Sequence, residues 1–129
     1  MRRIACSFAV ALALAACDRS SNEPTVAVGE EANGTTIGMG VGDRLTVALT
    51  SHGDGGYSNW TIATAPDSGI LALTSSGHRP PPPGANPGNF GTDVFAFEAA
   101  GAGSTSVVAT AVRPGSGETL TFSVTLTVH

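Results

Sequence analysis

The chain of 129 residues has no lysine, and its six basic residues, all arginines, are outnumbered by ten acidic residues. A protein that binds nucleic acid needs clustered cations to displace the counterions of the phosphates, and an electrostatic grip on anionic lipid needs a basic patch. The composition therefore argues against a nucleic-acid partner and against a membrane contact that depends on positive charge.

Cysteine is almost as scarce: the sequence has two, Cys6 and Cys17. The rest of the chain can form no disulfide, no zinc–thiolate site and no cysteine nucleophile, so we expect burial alone to hold its fold together. No phosphate-binding Gly-x-x-x-x-Gly-Lys motif occurs, and "GMGVGD" lacks the strand-to-helix context of a dinucleotide site. We therefore expect no cofactor.

One apolar run is present, at the start of the chain. In "MRRIACSFAVALALAAC" two arginines precede an apolar segment too short to anchor in a bilayer, which is typical of an export signal. The last four residues, "LAAC", resemble the lipobox of bacterial lipoproteins, whose cysteine is lipidated; an ordinary secretory signal is the alternative. We expect a periplasm-facing lipoprotein of the bacterial cell envelope, held in a membrane through Cys17, with the inner or outer membrane left open.

The segment after the signal is polar and interrupted. Residues 18–33, "DRSSNEPTVAVGEEAN", contain Pro24, Gly29 and a short alternating patch, a composition that favours a flexible tether. The length suits one domain. We predict a signal peptide at 1–16, the lipidated cysteine and tether at 17–33, and one folded domain, which we expect to be monomeric, at 34–129.

Beyond the tether, apolar and polar residues alternate with a period of two, which indicates half-buried strands and not helices. We predict about seven strands, in the segments TTIGM, LTVALT, NWTIAT, ILALT, TDVFAFEA, STSVVATAV and ETLTFSVTLTV. Such a series of short strands separated by turn residues is typical of an all-β, immunoglobulin-like two-sheet β-sandwich, here without a disulfide. Trp60 suits its core.

One segment interrupts the series of strands. "HRPPPPGANPG", residues 78–88, holds five of the eight prolines, and proline cannot donate a hydrogen bond to a sheet. We predict a stiff surface loop over 78–88; a Pro-rich ligand for another protein module is the less favoured alternative.

The stretch "SHGDGGY" places His52 and Asp54 beside Ser51, which suggests a Ser-His-Asp triad. A triad needs a rigid fold and a buried group that orients the imidazole, and a glycine-rich loop offers neither. A metal ion needs three or four ligands, of which this stretch supplies two. We therefore predict that the protein is not an enzyme and holds no metal, and we interpret these residues as an exposed turn.

In order along the chain, several segments resemble the chagasin family, the immunoglobulin-like inhibitors of papain-like cysteine proteases. "NGTTIGMGVGDRLTVALTS" resembles the family's opening strands, and "HGDGGY" stands where the family has Asn-Pro-Thr-Thr-Gly-Tyr or -Phe before a strand with tryptophan. "GNFGTDVFAFEAAGAGSTSV" resembles its Gly-x-Gly-Gly-Thr loop and aromatic strand, and "AVRPGSGE" its Arg-Pro-aromatic loop. The resemblance covers about residues 33–129.

This resemblance implies an inhibitor whose partner is a papain-like cysteine protease and whose three loops, from one end of the sandwich, enter the active-site cleft. One loop would block the catalytic cysteine, and the other two would hold the rims. The alternative is a non-inhibitory binding or structural module of an envelope lipoprotein, because the loops depart from the family pattern. The residues implied in the protease contact are His52, Gly53, Asp54, Gly55, Gly56, Tyr57, Gly88, Asn89, Phe90, Gly91, Arg113, Pro114 and Gly115.

The departures lie in these same loops. Gly53 replaces the family's proline, and ordering such a glycine on binding costs on the order of 1 kcal/mol. Phe90 replaces a glycine and is interpreted either as a new apolar anchor or as a core residue, while Arg113 is either a turn residue or a protease contact. Trp60 follows Tyr57 by three residues instead of two, which puts the rings on opposite faces of a regular strand unless a bulge intervenes.

Overall fold

The structure is a computed structural model that describes residues 24–129. This part of the chain contains eight strands and two single turns of 3₁₀-helix, at Glu30–Ala32 and Gly53–Gly55. Within the same range, no helix has the length and apolarity needed to cross a membrane. The strands are β1 (Thr25–Val28), β2 (Thr36–Met39), β3 (Arg44–Thr50), β4 (Thr61–Thr64), β5 (Leu71–Arg79), β6 (Thr92–Ala99), β7 (Gly103–Val112) and β8 (Thr119–Val128).

The strands form two four-stranded sheets that enclose one core. The first sheet has the order β1-β3-β6-β5 and the second the order β2-β8-β7-β4. The edge pairs β1–β3 and β2–β8 are parallel, and the remaining pairs are antiparallel. The all-β class is confirmed, and the two sheets are consistent with the predicted immunoglobulin-like sandwich.

The core lies between the sheets because alternate residues of each strand point inward. In the first sheet Leu45 lies opposite Phe97, and Phe122 of the second sheet belongs to the same buried cluster. Burying each such side chain stabilises the fold by about 1.5–3 kcal/mol. Residues 24–129 contain no cysteine, so this burial acts without a disulfide. The largest fully buried side chains are Phe97, Phe122, Leu45, Leu49, Leu71, Leu126, Val47, Val107 and Val124.

The sandwich begins earlier than predicted, so the tether assigned to 17–33 is wrong from Thr25 onward. Residues 25–28 form β1, which pairs with β3 in parallel and whose valines pack against the core. Ala32, in the 3₁₀ turn that follows, is itself buried. The strand adds an eighth to the seven predicted. Residues 1–23, which include the predicted signal peptide and Cys17, lie outside the described part of the chain.

β5 is longer than the short strand predicted around residues 70–74. It continues through His78 and Arg79, which lie opposite Asp93 and Thr92 of β6. The predicted surface loop over 78–88 is therefore wrong at its first two residues. The strand continues until Pro80 because His78 still finds a hydrogen-bonding partner in β6, whereas proline has no N–H to offer.

Candidate functional site

Three connections meet at one end of the sandwich because the strands that carry them end there in register. β3 ends at Thr50 and β5 at Arg79, and both residues lie opposite Thr92 at the start of β6. In the second sheet, Thr61 at the start of β4 lies opposite Thr110 near the end of β7. The loops 51–60, 80–91 and 113–118 therefore share one end of the molecule, which we call the loop end.

The central loop of this end, residues 52–57, is a closed turn. The carbonyl oxygen of His52 accepts hydrogen bonds from the N–H groups of Gly55 at 3.0 Å and Tyr57 at 3.2 Å, and Gly56 N–H donates to the Gly53 carbonyl at 3.0 Å. Its exposed apex is Asp54, whose carboxylate makes no hydrogen bond or ion pair with any residue of 24–129. The loop thus has a fixed shape and carries an unpaired negative charge at its tip.

The loop 88–91 packs against one side of the central loop. The Phe90 ring lies so close to Gly53 that a Cβ at that glycine would stand 2.5 Å from Phe90 Cδ2. Gly88 lies beside the Asp54 side chain, and Asn89 Oδ1 accepts a hydrogen bond from Gly91 N–H at 2.9 Å. Phe90 is therefore not a core residue: the residue is 45 % exposed, and its ring covers the backbone of the neighbouring loop.

Arg113 holds the other side of the central loop. Its Nε donates a hydrogen bond to the Gly55 carbonyl at 2.9 Å, its guanidinium carbon lies 5.3 Å from the centre of the Tyr57 ring, and its Nη1 pairs with Glu118. These contacts give Arg113 a bracing role that neither sequence interpretation included. The two residues after it, Pro114 and Gly115, are exposed.

The backbone between Tyr57 and Trp60 is irregular, and this resolves the spacing of their rings. Ser58 N–H donates to the Val112 carbonyl at 2.8 Å, Ser58 Oγ accepts from Val112 N–H at 3.0 Å, and β4 begins only at Thr61. Trp60 is buried and Tyr57 packs against the same core. Both rings therefore face inward, as the bulge alternative allowed.

A buried carboxylate that the sequence analysis missed fastens the two sheets together behind the loop end. Asp93 of β6 is 4 % exposed, and its Oδ2 accepts a hydrogen bond from Trp60 N–H at 2.9 Å. Its Oδ1 lies 2.9 Å from His78 Nδ1 in β5. A carboxylate oxygen accepts hydrogen bonds, so this contact fits a His78 ring with its proton on Nδ1. We refer to Trp60, Asp93 and His78 as the sheet clip.

The residues first considered for chemistry are not assembled into a catalytic group. His52 Nε2 lies 3.0 Å from Glu30, and its ring meets the Trp60 ring edge-on at 6.3 Å. Ser51 is buried and uses its N–H to bind the Gly91 carbonyl at 2.9 Å. No cluster of three or more His, Cys, Asp or Glu side chains able to hold a metal occurs between residues 24 and 129.

Comparison with known proteins gives a family match for the sequence and several solved structures of similar fold. A sequence model described as "Chagasin family peptidase inhibitor I42" matches residues 39–128, well over half of the chain. No curated protein sequence matches the chain significantly.

Solved structures with the same fold include the cysteine protease inhibitor EhICP2 from Entamoeba histolytica, which is 14 % identical with a TM-score of 0.64 over 84 % of this chain and 98 % of that one. Amebosin is 22 % identical with a TM-score of 0.64, over 82 % of this chain and 99 % of its own. PbICP-C, solved in complex with falcipain-2, is 15 % identical with a TM-score of 0.58, over 88 % of this chain and 95 % of its own.

Proposed function

The chain belongs to the chagasin family of peptidase inhibitors, and from this membership we propose that it inhibits papain-like cysteine proteases by inserting its loop end into their active-site cleft. The family consists of protease inhibitors, which confirms the prediction that the chain is not an enzyme. The description of EhICP2 as a cysteine protease inhibitor supports the class of target.

The observation that carries this proposal is that the loop end is braced as one unit. Phe90 covers Gly53 on one side of the central loop, and Arg113 binds the Gly55 carbonyl on the other. A loop already fixed in shape loses little conformational entropy when it binds. Its closed turn also resists the extended conformation that a protease needs for cleavage, so the loop fills the cleft without being cut.

The roles we propose follow the positions of the loops. Residues 52–57 project from the middle and block the catalytic cysteine. Residues 88–91 contact one rim of the cleft, and Arg113, Pro114 and Gly115 contact the other.

Titration of the purified protein into papain with a fluorogenic peptide tests the proposal. We expect the initial rate to fall to background as the protein is added, because the cleft is closed to substrate. Several papain-like proteases that keep full activity with about 50 µM of the added protein would contradict inhibition. Any binding would then be weaker than roughly 6 kcal/mol, and the non-inhibitory binding module would remain.

A matched pair of arginine variants tests whether inhibition needs Arg113, which braces the central loop and which we also propose to contact a rim of the cleft. Arg113→Ala removes the hydrogen bond to Gly55 and should raise Ki about 5-fold, equivalent to about 1 kcal/mol. Arg79→Ala removes the same charge from a side chain with no hydrogen bond or ion pair to residues 24–129, and should leave Ki unchanged. Equal effects of the two variants would point to net charge instead of the contacts of Arg113.

We also propose that the inhibitor is anchored in a membrane of the bacterial envelope through a lipid on Cys17, facing the periplasm. The support is the sequence "LAAC" behind a basic and apolar start. Expressed in a Gram-negative host, the protein should sediment with membranes, and Cys17→Ala should move it to the soluble fraction. Sedimentation of both forms alike would contradict lipid anchoring.

A further inference from the structure

Four large apolar side chains are exposed in residues 24–129, and Phe90 is the aromatic one. The others are Val41, Leu73 and Val112. It is the middle of a loop that contacts the central loop, and its ring stands at the loop end itself. Nearly half of its surface remains in water. A large aromatic group exposed at a contact surface is the kind of residue that dominates binding energy in protein interfaces.

The ring is held in this exposed position by its surroundings. One side lies on the bare backbone of Gly53, where any side chain would collide with ring atoms Cδ2 and Cγ at 2.5 and 2.8 Å. The next residue, Gly91, is fixed through its N–H to Asn89 Oδ1 and through its carbonyl to Ser51 N–H, each at 2.9 Å. The backbone on the C-terminal side of Phe90 is therefore set by hydrogen bonds, and the free part of the ring is presented without a cost of ordering it.

We propose that Phe90 is the apolar anchor of the protease contact and determines which proteases are inhibited. This rests on the proposed function: as residues 52–57 enter the cleft, the ring beside them docks into an apolar depression on the adjacent rim. Targets with such a depression are bound tightly. Proteases with a charged residue at that place are bound weakly, because the ring would bury the charge without a partner.

The first test compares inhibition constants of the full chain carrying single substitutions. Phe90→Ala should raise Ki against papain-like proteases with an apolar rim roughly 30-fold, and Phe90→Leu should retain most of the affinity. Leu73→Ala is the matched control, because Leu73 is 48 % exposed on β5, away from the loop end, and should leave Ki unchanged. The unfolding midpoint of each variant, measured alongside, should stay close to that of the unaltered protein.

The second test separates direct contact from support of the central loop. With 4-fluorophenylalanine at position 90, the fluorine resonance should shift and lose its response to D₂O when papain is added. A raised Ki for Phe90→Ala without that change would mean that the ring only supports Gly53, and would overturn the anchor. An unchanged Ki would overturn it as well. If the unaltered chain binds no papain-like protease, the proposed function fails and the anchor fails with it, whereas failure of the anchor alone leaves inhibition intact.

Discussion

Gly91→Ala should lower the free energy of unfolding by about 3 kcal/mol, the sum of a strained backbone and a steric overlap. Gly91 has φ +92°, a conformation that residues with a side chain rarely adopt. An added Cβ would also stand 2.3 Å from the Arg79 carbonyl oxygen and 3.0 Å from His78 Nε2. The carbonyl belongs to the β5–β6 ladder and cannot move freely. Urea unfolding followed by fluorescence of the one tryptophan measures the loss.

Gly115→Ala is the matched control for this substitution. Gly115 has nearly the same φ, +90°, but no heavy atom lies within 4 Å of a Cβ placed there. It should lose about 1 kcal/mol from backbone strain alone. Equal losses for the two variants would contradict the close approach of Gly91 to Arg79, and losses differing by about 2 kcal/mol would measure the overlap.

Gly91 matters for function because it joins the loops that we propose to contact the protease. Its carbonyl fixes Ser51, the residue before the central loop, and its N–H fixes Asn89, the residue before Phe90. The sequence led us to expect a costly, flexible central loop, because glycine replaces a rigid proline at Gly53. In the structure, the Phe90 ring occupies the space that a side chain at position 53 would fill, so the glycine is covered by its neighbour.

The strands that were predicted well are those whose alternation is long. β6 occupies the predicted segment Thr92–Ala99, and β8 differs from its prediction by one residue, since each buries four or more alternate side chains. β1 was missed because it has four residues, lies between Pro24 and Gly29, and owes its stability to β3, nineteen residues further along the chain. The local composition of residues 25–28 therefore favours a tether, although pairing with β3 makes the segment a strand.

The contacts within the loop end could not be predicted because they join residues distant in sequence. Phe90 meets Gly53 through the pairing of β3 with β6, and Arg113, which follows β7 of the second sheet, meets Gly55, which follows β3 of the first. Asp93 did leave a signal in the sequence. In "TDVFAFEA" Asp93 alternates in step with Phe95 and Phe97 and so lies on the same face of the strand. The alternation that predicts this face to be buried therefore predicts a buried carboxylate as well.

Asp93→Ala should destabilise the protein by about 3 kcal/mol, because it leaves two partners of a buried group unsatisfied. Trp60 N–H would lose its acceptor inside the sandwich, and the His78 ring would lose the contact that keeps the end of β5 against β6. Of the two losses, the first is the larger, since Trp60 is 5 % exposed whereas about a third of the His78 side chain reaches water. His78→Ala also leaves the buried Asp93 Oδ1 without this partner and should cost about 2 kcal/mol. Urea unfolding measures both.

Two further variants separate the charge of Asp93 from its role as an acceptor. Asp93→Asn keeps an oxygen for Trp60 N–H, and its amide can donate to Nδ1 if the proton of His78 moves to Nε2, so the expected loss is about 1 kcal/mol. Asp54→Ala removes an exposed carboxylate without a partner in residues 24–129 and should change stability by less than about 0.5 kcal/mol. Equal losses for Asp93→Ala and Asp54→Ala would contradict the sheet clip. A loss for Asp93→Asn as large as that for Asp93→Ala would mean that the negative charge, and not the acceptor alone, holds β5 and the start of β4 together behind the inhibitory loops.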